Sequence, residues 1–223
     1  MFRSIFRPYG LVWTILNTIT DVVGLTLCWL LCCLPVVPLF PATAALYYSC
    51  VKCLRYGESA PYQNFFAAFR QNLKPGIGLS VVFWIAAAVL YGVFRLLSGM
   101  LPGGGTVKTV VQVAYGFLML LPFGIFSGAA ALVSRFQYAL EGLLSDSVQI
   151  VFRHFFPMYA VALLNGLTVF LCLRLFYLLV WLILPAIDAL LVSYLLEPVL
   201  RKYTPVDEET EQLDPEDRPW YLR

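Results

Sequence analysis

Charge is what this chain has least of. Charged residues make up 13% of its 223 residues, hydrophobic ones make up 61%, and the mean hydropathy is +0.80. A soluble domain carries roughly a quarter of its residues charged, so this composition excludes a chain that covers itself with a water-facing surface. Acids are scarcer still over most of the length: seven of the thirteen lie between Asp207 and Asp217. Histidine occurs once, at His154. The chain has no G-x-S-x-G, no Gly-rich phosphate loop and no metal-ligand cluster, so the expectation is no enzyme, no cofactor and no metal. A net charge of +2 with no basic cluster interleaved with aromatics argues against nucleic acid as a partner. Arg3 and Arg7 precede an apolar run that ends in no small-residue cleavage site, so no signal peptide is expected.

Six cysteines are present, at 28, 32, 33, 50, 53 and 172. Cys50-Val-Lys-Cys53 has C-x-x-C spacing, but His154 is a hundred residues away. The cysteines read as small apolar residues of spanning helices.

What the chain has is long apolar runs. A spanning helix needs about 20 mostly apolar residues, and five segments qualify: about 20–48, 77–99, 109–133, 155–173 and 177–197. The fold class is therefore all-α, a polytopic transmembrane helix bundle in a single membrane domain, 1–203, with the lipid bilayer as its surroundings. Gly103-Gly104-Gly105 marks a tight turn between the second and third spans. Residues 61–75 place Tyr62, Phe65, Phe66, Phe69 and Leu73 on one helical face, with Gln63, Asn64, Arg70, Gln71 and Lys74 largely opposite. That pattern predicts an interfacial helix with its aromatics in the acyl boundary, started by Pro61 and stopped by Pro75. Residues 204–223 are acidic with three prolines and read as a disordered tail.

The first span carries Pro35, Pro38 and Pro41. Its LPVVPLFPATAAL (34–46) is echoed by LPFGIFSGAAAL (121–132) and more faintly by LPAIDALLVSYLL (184–196). A basic residue, a Gly/Glu pair and an aromatic-rich stretch follow each of the first two copies, so 20–99 and 109–173 form a possible repeat. By analogy with the second copy, 20–48 is one Pro-interrupted span, with Pro122 and Pro185 breaking the later ones. The alternative is a helical hairpin over 9–51, giving six spans and moving Arg3 and Arg7 to the inside. Either way the C-terminus is cytoplasmic by the distribution of Lys and Arg, while the side of the N-terminus depends on the choice. Backbone freed by a break must be buried in protein or face water.

Ionisable groups within spans are expensive and are functional candidates. Asp188, three residues after Pro185, is the best placed, and the expectation is that it faces the bundle interior, paired with Asn165 or Arg174. Glu197, just before Pro198, is expected to end the last helix.

LPVVPLFPATAALYY, then RYGE (55–58), then FFAAFRQNLK (65–74) resemble the YesL-like family of small bacterial integral membrane proteins, and SRFQYALEG (134–142) is similar to its second half. The family's Thr-x-Gly between the prolines is Pro38-Leu39-Phe40 here. The resemblance implies a multi-pass protein of the bacterial cytoplasmic (inner) membrane, of unknown activity, associated with carbohydrate uptake. Two readings follow. One is a non-catalytic accessory or regulatory component that contacts a transporter subunit, or a further copy of itself, through 61–75 and the tail. The alternative is a small permease or channel-like protein with a polar site near the Pro-broken helices and Asp188.

Overall fold

The three prolines of 35–41 do more than kink a helix; they reverse the chain. In a computed structural model that describes residues 11–100, 105–136, 140–175 and 178–203, α1 (Leu11–Cys33) ends before Pro35, and α2 (Leu39–Ser49) starts afresh with Pro41 in its first turn. Between them Val36 adopts φ 60°, and its N–H bonds the carbonyl of Cys33 at 2.8 Å. Trp29 of α1 donates to the Thr43 hydroxyl of α2 at 3.2 Å. These two residues are equidistant from Val36, so the helices run antiparallel as the arms of a hairpin. The expectation of one continuous span over 20–48 is therefore corrected: the chain reverses here as a hairpin, of which α1 alone is long and apolar enough to cross, so the number of such helices remains five. A helix cannot continue through a residue at positive φ flanked by prolines that lack the donors to bridge it.

Five helical stretches are long and apolar enough to cross a membrane: Leu16–Cys33, Leu73–Met100, Lys108–Val133, Phe155–Leu175 and Val180–Leu200. The described residues contain no strand. After α2 the chain widens into a π turn, Cys50–Arg55, then forms α3 (Pro61–Gln71) and α4 (Leu73–Met100). Pro61 opens α3 as expected. Pro75 lies in the first turn of α4, where its missing N–H costs nothing, so it begins a span instead of stopping α3. α5 (Thr106–Met119) and α6 (Leu121–Val133) are joined at Leu120, with Pro122 in the first turn of α6, and together make one span. α7 (Leu140–Arg153), α8 (Phe155–Leu175) and α9 (Leu178–Leu200) complete the bundle. Pro185 was expected to break α9 but lies inside a continuous helix. A lone proline removes one hydrogen bond, and a spanning helix tolerates that loss where its neighbours re-satisfy the backbone. The Gly103-Gly104 part of the expected turn and the tail 204–223 lie outside the described residues.

The order α2–α3–α4 is matched by α6–α7–α8, with a short amphipathic helix in the middle of each. α6 stands at the centre. Its run Gly124–Val133 is buried apart from half-buried Ile125, and it packs with Phe40 and Tyr47 of α2, Leu143 and Ile150 of α7, Met158 and Val161 of α8, and Val192 and Leu196 of α9. Small residues allow this close approach of backbones. Phe40 and Phe126 meet edge to face at 5.2 Å. A second cluster holds the hairpin to α3 and α9 through Val22, Leu25, Leu46, Phe65 and Ala186. Phe65 is fully buried there, Tyr62 lies against Gly24 of α1, and Phe66 faces outward. The four aromatics of 61–75 therefore do not share one lipid-facing surface, because Phe65 fills the space between the hairpin arms.

Gly76 at the start of α4 touches the tip of α2: a Cβ there would come within 2.8 Å of Pro41 and 3.0 Å of Phe40. Gly76→Val is expected to cost about 1–3 kcal/mol by overpacking, read as a lower midpoint in detergent thermal unfolding. Gly92→Val, where a Cβ meets nothing within 4 Å, should leave the midpoint in place.

Candidate functional site

The strongest polar constellation lies where the C-terminal ends of α2, α6 and α9 converge. Arg135 follows the end of α6, its N–H held by the carbonyl of Leu132 at 3.0 Å. Its guanidinium pairs with the carboxylate of Glu197, and both side chains are withdrawn from solvent. Tyr56 donates to the same carboxylate oxygen at 3.4 Å. Arg55, carried over by the π turn, donates to Ser193 Oγ at 3.0 Å and stacks on Tyr194, 4.4 Å from the ring centre. Tyr47 of α2, also buried, lies within electrostatic reach of Glu197, Arg135 and Arg55. Its hydroxyl and Glu197 Oε1 have no hydrogen-bond partner among the described residues. Two cations, one carboxylate and the hydroxyls of Tyr56 and Ser193 thus tie three helices together at one end of the bundle.

Two flanking contacts strengthen that end. Lys52 donates to Tyr48 at 3.0 Å and to Asn64 of α3 at 3.1 Å. His154, at the α7–α8 junction, meets Tyr203 at 3.0 Å. Burial, with Lys202 and Arg153 nearby, lowers the pKa of His154, so the imidazole is held neutral at pH 7. The contact is a tether between α8 and the end of α9.

The residues singled out from sequence are placed differently. Asp188 is half-buried in α9, with Thr168 of α8 the polar side chain within reach of its carboxylate. Asn165 spends its amide on the carbonyl of Val161 in its own helix, at 2.8 Å. Arg174 is exposed at the end of α8. The structure therefore does not bring Asp188, Asn165 and Arg174 into one site; Thr168, one turn beyond Asn165, is the polar neighbour of Asp188 instead. Glu197, expected to end its helix, lies inside α9 and is 1% exposed. One signal for it was available: the echoed segments place a basic residue after each apolar run, and Glu197 is the acid at the corresponding end of the third. All six cysteines are free thiols, and Cys53 accepts from Asn64 at 3.4 Å. No three His, Cys, Asp or Glu side chains among the described residues gather as a metal site.

The geometry defines a helical protein with five helices fit to cross a membrane. Residues 22–92, from α1 through most of α4, are similar to the family described as "Protein of unknown function, DUF624". No curated protein and no solved structure matches the chain.

Losing one member of a buried ion pair strands the other, at about 3–5 kcal/mol. Glu197→Leu and Arg135→Leu should each lower the thermal midpoint sharply in detergent. The double variant, which leaves no stranded charge, should recover most of the loss. Equal midpoints for wild type and both single variants would show the pair to be inert.

Proposed function

We propose that the protein is a non-catalytic accessory or regulatory component of the bacterial inner membrane, linked to carbohydrate uptake, and that it contacts a transporter subunit through the outer face of α3. The observation that carries this reading is how α3 is mounted. Phe65 and Ala68 lock it into the bundle and Tyr62 lies against Gly24 of α1, while Gln63, Phe66, Arg70 and Gln71 face outward. A rigidly held helix with an aromatic beside polar groups is a good protein-binding surface. Supporting it, the charged groups at the convergence are committed to one another. Two grooves among the described residues, one between α5 and α8 and one between the end of α8 and the start of α9, are lined by apolar residues. With the C-terminus in the cytoplasm by the distribution of Lys and Arg, the hairpin brings the start of α1 to that same side.

The second reading, a small permease, draws on the half-buried Asp188 near Thr168 and Pro185. It requires Asp188→Asn to abolish uptake in proteoliposomes without loss of stability.

The accessory reading is tested by affinity purification in mild detergent. The variant is Phe66→Glu with Arg70→Glu, both at exposed positions. A transporter subunit should co-purify with the wild-type chain and fall by at least about tenfold with the variant, the loss expected for a central aromatic anchor. Recovery of the wild-type chain alone, or only with copies of itself, would sink the proposal.

A further inference from the structure

We propose that the tip of the α1–α2 hairpin, Leu34–Val37, is a lipid-contacting element whose surroundings are acyl chains. Three independent observations meet there. The first is sequence: every residue between Asp21 and Lys52 is uncharged, so nothing in either arm anchors the tip in water. The second is exposure. Leu34 is 75% exposed, Leu31 66%, Val36 53% and Val37 50%, an apolar surface projecting from the bundle at a chain reversal, where water-soluble proteins place Gly, Asn, Asp or Ser.

The third is the backbone. A turn in hydrocarbon has no water to satisfy its amides, and each unsatisfied group costs several kcal/mol. Here Pro35, Pro38 and Pro41 carry no N–H. Of the donors that remain, Val36 bonds the carbonyl of Cys33 at 2.8 Å and Val37 that of Pro35 at 2.6 Å. Phe40 donates across to the hydroxyl of Ser80 on α4 at 2.9 Å. The positive φ of Val36 is the conformation that closes the Val37 bond, and a β-branched residue adopts it rarely. Three donors are removed by proline and those of Val36, Val37 and Phe40 are bonded within the protein, which has little value in water and lowers the cost of turning in lipid.

The test uses the wild-type chain in vesicles of phosphatidylethanolamine and phosphatidylglycerol doped with a lipid carrying a diazirine on its acyl chain. After irradiation, adducts are mapped by peptide mass spectrometry. Adducts on the peptide containing Leu34–Val37, as strong as those on exposed Leu167 and Phe170 of α8, are the expected result. Labelled α8 with an unlabelled tip would overturn the proposal, whether water or another copy of the chain covers it. A Val36→Asp variant gives a second reading: a tip in acyl chains predicts at least tenfold less membrane-extracted, monodisperse protein than Gln63→Asp, and equal yields count against it.

Discussion

A backbone amide facing hydrocarbon has no water to bond, and that single constraint governs where this chain can bend. The α1–α2 and α5–α6 breaks fall at prolines, which lack the donor. Pro35, Pro38 and Pro41 close the α1–α2 turn with Ser80 of α4 receiving the amide of Phe40. Pro122 opens α6 after the single turn residue Leu120. Where only one donor is missing, at Pro185, the helix runs on. Three prolines within seven residues reverse the chain; one does not.

Much of this was legible in the sequence, because composition and run length respond directly to the lipid environment. The all-helical class, the number of apolar helices, the start of α3 at Pro61 and the division of 109–133 near Pro122 could all be read from residue order. The hairpin was misread as a single span because its partner in the echo, LPFGIFSGAAAL, is a single span. Sequence likeness carried the apolar pattern across, but the number of prolines decides the backbone path, and the second copy has one where the first has three. The buried face of α3 was hidden for a related reason. A moment over 61–75 places Phe65 and Phe66 in one apolar arc but cannot say which of them meets protein.

The candidate site was the least legible part. Asp188 drew attention because it lies deep in an apolar run, and the polar side chain within its reach proved to be Thr168. Glu197 and Arg135 are 62 residues apart and each looks like an ordinary helix-end charge. Only the parallel course of α6 and α9 brings them together, and the burial that makes the pair expensive to break depends on Tyr47 and Tyr56 closing over it. Pairings set by tertiary convergence leave little trace in local sequence.

The π turn at Cys50–Arg55 acts as a gear at the end of the hairpin's second arm. An α-helix advances about 100° per residue, so the face that Phe40 and Tyr47 show to α6 would dictate the direction of Arg55 if the helix stayed regular. A wider turn decouples the two: α2 can be phased for packing and the turn that closes the arm for reaching Ser193. Length and rotation are thereby interchangeable at this one place, and a chain one residue shorter here would keep its core and turn its guanidinium away from α9.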